Sequence, residues 1–285
     1  MHRRPGAVPV GGPSFPRSRR GQDRCRCRAT GAGWPVELIV LGSSGTWPVP
    51  GAATSGYLVR HDGFTVWVDA GTGTLANLQR HIQLSELDAI LISHEHPDHM
   101  VDLYPCFYAR HYGKLGDPHL PVYAPSGFPA RAEELVSEDS RRVMRDAFDW
   151  HEVSPGERFE VGPFRVRTEP MSHLGLVALG FRLETDGTAL AYTGDTGPTS
   201  KVEDLGRDAD VLLSEATWQD GDDLLPFHLS ARQAAVQARE AGAGLLILTH
   251  IWPTSDREIS RAQAAEEFSG PIELATEGER HEVGT

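Results

Sequence analysis

The sequence predicts an α/β fold in which sheets are covered by helices, and three observations predict it. Short apolar runs rich in β-branched residues recur through both halves of the chain, stretches of helical spacing lie between them, and two of those stretches open with capping boxes. The strand-like runs are residues 36–41, 56–60, 64–69, 88–93, 121–124, 159–170, 177–185, 188–193, 210–215, 245–250 and 272–276. Helical periodicity marks Leu75–His81, Val101–Tyr112, Ala130–Trp150, Leu229–Ala241 and Asp256–Phe268. Ser230 with Gln233, and Ser255 with Glu258, supply the two capping boxes.

The 285 residues suffice for one large domain, and a change in composition sets its expected start. Residues 1–35 hold eight arginines against one acid, Asp23, among Pro, Gly and Ser, and read as a disordered tail of charge +7. Taking that from the overall −13 leaves −20 for residues 36–285, the expected folded domain. So acidic a body disfavours long polyanions as partners. The tail has no apolar signal core, no run is long enough to span a membrane, and Cys25, Cys27 and Cys106 form no disulfide framework. These features predict a cytoplasmic protein.

Function is concentrated behind the run at residues 88–93. HEHPDH, residues 94–99, places His94, His96, Asp98 and His99 within six positions at a strand end. His94 and His96, two apart in extended chain, put their imidazoles on one side, and Pro97 holds His96 extended. Asp98 and His99 fall in the first turn of the next helix, where the helix dipole favours a carboxylate. Two ligand pairs so close together read as a metal site with room for two ions. Four side chains cannot fill two coordination shells, so further ligands must come from elsewhere. His173, Asp195 and His250 each follow a strand-like run; taken singly, each is equally compatible with an ordinary hydrogen-bonded turn residue.

HEHPDH followed in order by a lone His, a TGD and a TH resembles the metallo-β-lactamase superfamily, from about Val36 to Val283. The resemblance implies an αββα sandwich of two mixed β-sheets flanked by helices. It implies that His94, His96 and His173 hold one ion, that Asp98, His99 and His250 hold the other, and that Asp195 bridges them. Asp69, in VDAGTG, would support the metal loop without being a principal ligand. His96 stands where the diiron oxygen- and NO-reducing branch carries Glu, and Asp195 where the two-zinc β-lactamases typically carry Cys.

SEATW at Ser214–Trp218 and FHLSARQAA at Phe227–Ala235 resemble two further motifs of the RNase Z-like branch, with Ser214 in place of the first motif's His. Glu215 and His228 keep the pair that would serve as a general acid; a helix-entry His beside the capping Ser230 is the plainer alternative. Only 22 positions separate His173 from Asp195, which leaves no room for a tRNA-gripping arm. With GSSGTWPVPG (42–51) and THIWP (249–253), the arrangement most resembles bacterial atypical cyclic-nucleotide phosphodiesterases. The expectation is a binuclear hydrolase acting on a small anionic phosphodiester through a metal-bridging hydroxide, with Asp98, His228 and Glu215 as catalytic groups. Zinc is the expected metal, with manganese or iron as alternatives, and the site's net charge would be about +1. An RNase Z-type tRNA endonuclease, a lactone or ester hydrolase, and a metal-binding regulator are the competing readings, and a homodimer is an admissible assembly. Trp47, Trp218 and Trp252 adjoin site motifs and either stack on a base or simply pack against the core.

Overall fold

The computed structural model describes residues 35–185 and 187–284; the arginine-rich tail expected over 1–35, with Cys25 and Cys27, lies outside the described residues except for Pro35. The strands are β1 (Val36–Gly42), β2 (Gly56–His61), β3 (Phe64–Val68), β4 (Ala89–Leu91), β5 (Leu120–Pro125), β6 (Phe148–Val153), β7 (Arg158–Val161), β8 (Phe164–Met171), β9 (Ala178–Thr185), β10 (Thr188–Tyr192), β11 (Val211–Glu215), β12 (Leu245–Thr249), β13 (Ile272–Leu274) and β14 (Arg280–Val283). The helices are α1 (Thr74–Leu78), α2 (Pro97–Met100), α3 (Leu103–His111), α4 (Phe128–Glu134), α5 (Glu138–Ala147), α6 (Ser200–Gly206), α7 (Ala231–Ala241) and α8 (Arg257–Ala265).

Two seven-stranded sheets result, in the orders β14-β1-β2-β3-β4-β5-β6 and β13-β12-β11-β10-β9-β8-β7. Each is half antiparallel and half parallel: β14 through β3 and β7 through β10 pair antiparallel, while β3 through β6 and β10 through β13 pair parallel. Antiparallel neighbours need only tight turns, and Asp62 (φ 48°) with Gly63 (φ 75°) makes one between β2 and β3. Parallel neighbours need crossovers, which the helices supply.

Alternation along the strands builds four layers. In β1, Leu38 and Val40 face the second sheet, where Leu183, Leu190 and Leu213 meet them. Ile39 and Leu41 point the other way, under Leu78 of α1 and Phe107 of α3. On the far side Leu212 and Leu246 pack beneath Val202 of α6 and Ala234 and Ala238 of α7. Each fully buried side chain of this size contributes about 1.5–3 kcal/mol by leaving water. This is the αββα sandwich expected from the sequence.

Three local expectations are corrected. Residues 130–150 are not one helix: Ser137 accepts a hydrogen bond from the Ser140 amide and starts α5 afresh, and Phe148 leaves it to begin β6 alongside β5. The capping residue of α8 is Asp256, whose carboxylate accepts from the Glu258 amide, rather than Ser255. The run at 159–170 is a hairpin, turned at Gly162 with φ of 56°. The Ser230–Gln233 capping box forms as expected. Among the described residues no helix is long and apolar enough to cross a membrane.

Candidate metal centre

Side chains gather where the parallel strands end, the usual place for sites in α/β sheets. Asp69 follows β3 and His94 follows β4; Asp195 follows β10, Glu215 ends β11, and His250 follows β12. His173 follows β8, and His228 sits just before α7. Asp69 (φ 55°) and His250 (φ 53°) are both left-handed, a conformation that non-glycine residues hold only where the surroundings enforce it.

All seven expected ligands come together, in two groups that share Asp195: His94, His96, His173 and Asp195, and Asp98, His99, Asp195 and His250. In the first, His96 Nδ1 lies 3.1 Å from His94 Nε2 and 3.0 Å from His173 Nε2, and Asp195 Oδ2 lies 3.8 and 3.9 Å from those two Nε2 atoms. In the second, Asp195 Oδ1 is 3.1 Å from His99 Nε2, Asp98 Oδ2 is 3.2 Å from His250 Nε2 and 3.5 Å from His99 Nε2, and Asp195 Oδ2 is 3.4 Å from His250 Nε2. Tetrahedral ligands with bonds of about 2.1 Å stand about 3.4 Å apart, so the spacing suits ligands around small cations.

The hydrogen-bond network fixes which ring nitrogens can bind. His99 Nδ1 donates to Asp69 Oδ2 at 2.7 Å, and His173 Nδ1 donates to the Phe227 carbonyl at 2.8 Å. The Ser93 hydroxyl donates to Asp69 at 2.7 Å, so at 3.0 Å it accepts from His94 Nδ1. The Thr217 hydroxyl donates to Glu215 at 2.7 Å and likewise accepts from His250 Nδ1 at 2.9 Å. Four Nε2 lone pairs are therefore turned inward, toward carboxylate oxygens that also only accept. His99 Nε2 and Asp195 Oδ1 are both buried without a hydrogen-bond partner although they face each other. Two acceptors in contact need a cation between them, so the residues present fit divalent metal.

Charge points the same way. Burial opposes the Asp195 charge, yet the His250 and His99 imidazoles hold its carboxyl well below the usual range. Burial likewise opposes a charge on His99, but Asp195, Asp98 and Asp69 together raise its pKa well above the ordinary value. Carboxylates that favour a proton there favour a metal ion in its place. Burial and the neighbouring His99 push His94 well down, leaving it a neutral ligand.

The family described as the beta-lactamase superfamily domain matches residues 65–251, a span that holds every one of these side chains. The chain belongs to the metallo-β-lactamase superfamily. Rv1339 of Mycobacterium tuberculosis is 34% identical over 269 residues, covering 90% of this chain and 96% of that one. The probable metallo-hydrolase YhfI of Bacillus subtilis is 27% identical over 247 residues, covering 85% of this chain and 98% of its own. The YhfI crystal structure superposes with a TM-score of 0.80, over 87% of this chain and 99% of that one. Ribonuclease Z of Mycobacterium bovis is 29% identical over 275 residues, covering 87% and 98%. As a member of this superfamily the chain is a metallo-hydrolase.

Beside these two groups lies the Glu215–His228 pair expected from the sequence. His228 Nδ1 donates to Glu215 Oε1 at 2.9 Å and lies 4.0 Å from Asp195 Oδ2, with its ring stacked on His250 at 5.4 Å. Glu215 is held by the Thr196 amide at 2.6 Å, the Leu229 amide at 3.2 Å and the Thr217 hydroxyl. Burial alone would lower the His228 pKa, but the Glu215 charge and hydrogen bond outweigh it and raise the pKa to about 9. Ser93, Thr217 and Tyr192, whose hydroxyl donates to Asp69 at 2.7 Å, were not singled out from the sequence as supports of the site. Thr217 lies inside SEATW, and Ser93 and Tyr192 lie within three positions of His94 and Asp195; that placement is the only signal that could have found them.

Proposed function

We propose that this hydrolase is a binuclear phosphodiesterase acting on a small phosphodiester such as a cyclic nucleotide. The observation that carries this reading is the Glu215–His228 pair, a positioned proton donor on the edge of two ligand groups that share Asp195. His94, His96 and His173 would hold one ion and Asp98, His99 and His250 the other, with Asp195 common to both groups. Imidazole and carboxylate donors without a thiolate suit zinc, with manganese or iron(II) as alternatives. Two such ions, when bound, supply an activated water and neutralise charge on phosphoryl oxygens. His228 protonates the departing alkoxide while Glu215 keeps its ring turned and its Nδ1 proton in place. Asp98, next to both His99 and His250, is a second group able to carry a proton.

Ribonuclease Z relatives support a second reading, tRNA 3′ processing. Against it stand the charge of −20 on residues 36–285 and the short path from His173 to Asp195, taken up by the paired strands β9 and β10. The test is a panel on metal-replete protein: 3′,5′-cyclic nucleotides, bis(p-nitrophenyl) phosphate, precursor tRNA and a simple lactone. Cyclic nucleotides are expected to turn over fastest. Cleavage of lactone or precursor tRNA with cyclic nucleotides inert would sink the reading, and no turnover at all would favour a metal-binding regulator. Residues 1–33 are proposed to be dispensable, and their deletion is expected to leave turnover of the cyclic nucleotide intact.

A further inference from the structure

The loop between β1 and β2 brings to the site two groups that the hydrolytic reading leaves unused. Thr46 has φ of 61°, which a β-branched residue adopts only under constraint. The constraint is local: the Gly45 amide donates to the Ile251 carbonyl at 3.0 Å, and the Ser44 hydroxyl donates to the Trp47 carbonyl at 2.8 Å. Thr46 thereby aims its backbone N–H at His250 Nε2, 3.4 Å away. That nitrogen has one lone pair. Once a cation holds it, the Thr46 amide is freed for an oxygen of the substrate.

The next residue is aromatic, and it does not stand alone. Trp47 meets Trp252 edge-on at 5.4 Å, Trp252 meets Trp218 at 4.6 Å, and Trp218 meets His228 at 5.8 Å. The indoles run from the rim of the site to the proton donor. Trp218 is 6% exposed, whereas Trp47 and Trp252 are only partly buried. The indole N–H groups of Trp218 and Trp252 are buried without a hydrogen-bond partner, as are those of Trp67 and Trp150 in the first-sheet core. Trp47, held edge-on by Trp252 and only partly buried, leaves an aromatic face that a planar heterocycle would stack on.

We propose that Thr46, Trp47 and Trp252 form a mononucleotide subsite, in which Trp47 stacks on the base and the Thr46 amide donates to a non-bridging phosphoryl oxygen. The inference rests on the phosphodiesterase reading for its phosphate half and on the indoles for its base half. A single nucleotide fits better than the end of an RNA, because the body carries −20 and repels a polyanion.

The experiment is isothermal titration of full-length, metal-loaded protein with a nucleoside 5′-monophosphate, with ribose 5-phosphate, and with a short oligoribonucleotide. The mononucleotide is expected to bind about tenfold or more tightly than ribose 5-phosphate, the scale of one base stacked on an aromatic ring. Trp47→Ala should abolish that preference with ribose 5-phosphate affinity unchanged, and Trp47→Phe should restore most of it. No preference in the unmodified protein, or equal weakening of both ligands by Trp47→Ala, overturns the subsite. An oligoribonucleotide bound about tenfold more tightly than the mononucleotide overturns it in favour of an RNA end. Titration reads binding without turnover, so a base preference in protein inert toward cyclic nucleotides would retain the subsite and remove the phosphodiesterase reading.

Discussion

The two sheets carry their halves of the site in opposite ways. The first delivers His94, His96, Asp98 and His99 from one short segment after β4, the first two from the loop and the others from α2. The second delivers His173, Asp195, Glu215 and His250 from four separate strand ends, and His228 from the entry to α7. The first half is therefore fixed by local backbone, with Asp69 gathering the Ser93 amide, the Ser93 hydroxyl, His99 and Tyr192 beneath it. The second half is fixed by strand register: Glu215 stands opposite Thr249, one residue before His250, only because β11 pairs with β12 as it does. Dense local chemistry is one way to make a site, and alignment of distant strands is another. Asp195 is where the two meet.

The largest effect is expected where both halves depend on one side chain. Asp195→Ala should strip metal from both groups and reduce hydrolysis to background, with metal content read by mass spectrometry on folded protein. Retention of one full equivalent would mean that the halves are independent. Next in size is His228→Ala, which belongs to the second half alone and lies outside the two groups that share Asp195. Turnover of a cyclic nucleotide should fall about 100-fold or more, the scale of general-acid catalysis. Bis(p-nitrophenyl) phosphate, whose leaving group departs unaided, should keep most of its rate, and metal content should not change. Equal losses on the two substrates would reassign His228 to binding or metal support.

The supports of the two halves should differ in a graded way. Asp69→Asn removes a carboxylate that gathers four donors, and metal affinity should drop by about 100-fold, the upper end for groups that orient metal ligands. Thr217→Val removes the acceptor of the His250 Nδ1 proton and one of several donors to Glu215, and should cost about tenfold. Competition with a chelator measures both, and an inverted order would contradict the difference between a hub and a single strut. Smaller still, Ser230→Ala removes the cap of α7, near His228, and should lower stability by about 1 kcal/mol in denaturant unfolding with little change in metal affinity.

The smallest effect is expected at Cys106, buried under the first sheet's helices. Burial pushes its thiol pKa up to about 12, so Cys106, read by peptide mapping apart from Cys25 and Cys27, should resist alkylation at pH 9 in the folded protein and react fully once unfolded. The thiol's share of stability is complete below the ordinary thiol range and is lost as the pH rises toward about 12. Rapid labelling of Cys106 itself in native protein at neutral pH would contradict so closed a first-sheet core.

This contrast also explains what could be read in the sequence. The helix-covered sheets were legible because most strands are apolar runs between turn residues. The first ligand group was legible because coordinating residues are rarely so crowded by chance. His173, Asp195 and His250 carried no such density, and only their order and a family resemblance marked them. The break at Ser137 was hidden because helical spacing continues across it, and the start of β6 depends on pairing with β5, which no local pattern reveals. Tyr192 and Thr217 act through hydroxyls of residues that read as strand and loop filler. Thr46 matters through its backbone, about which side-chain identity says little.

The central claim is that two sheets, one contributing a short segment and the other its strand ends, build a single centre for two ions around Asp195. The most direct measurement is the metal content of full-length protein, loaded with zinc, freed of excess by gel filtration and counted against protein concentration. Two equivalents per chain are predicted, falling together when chelator is added. A stoichiometry of one, or of none, in folded protein would contradict the account.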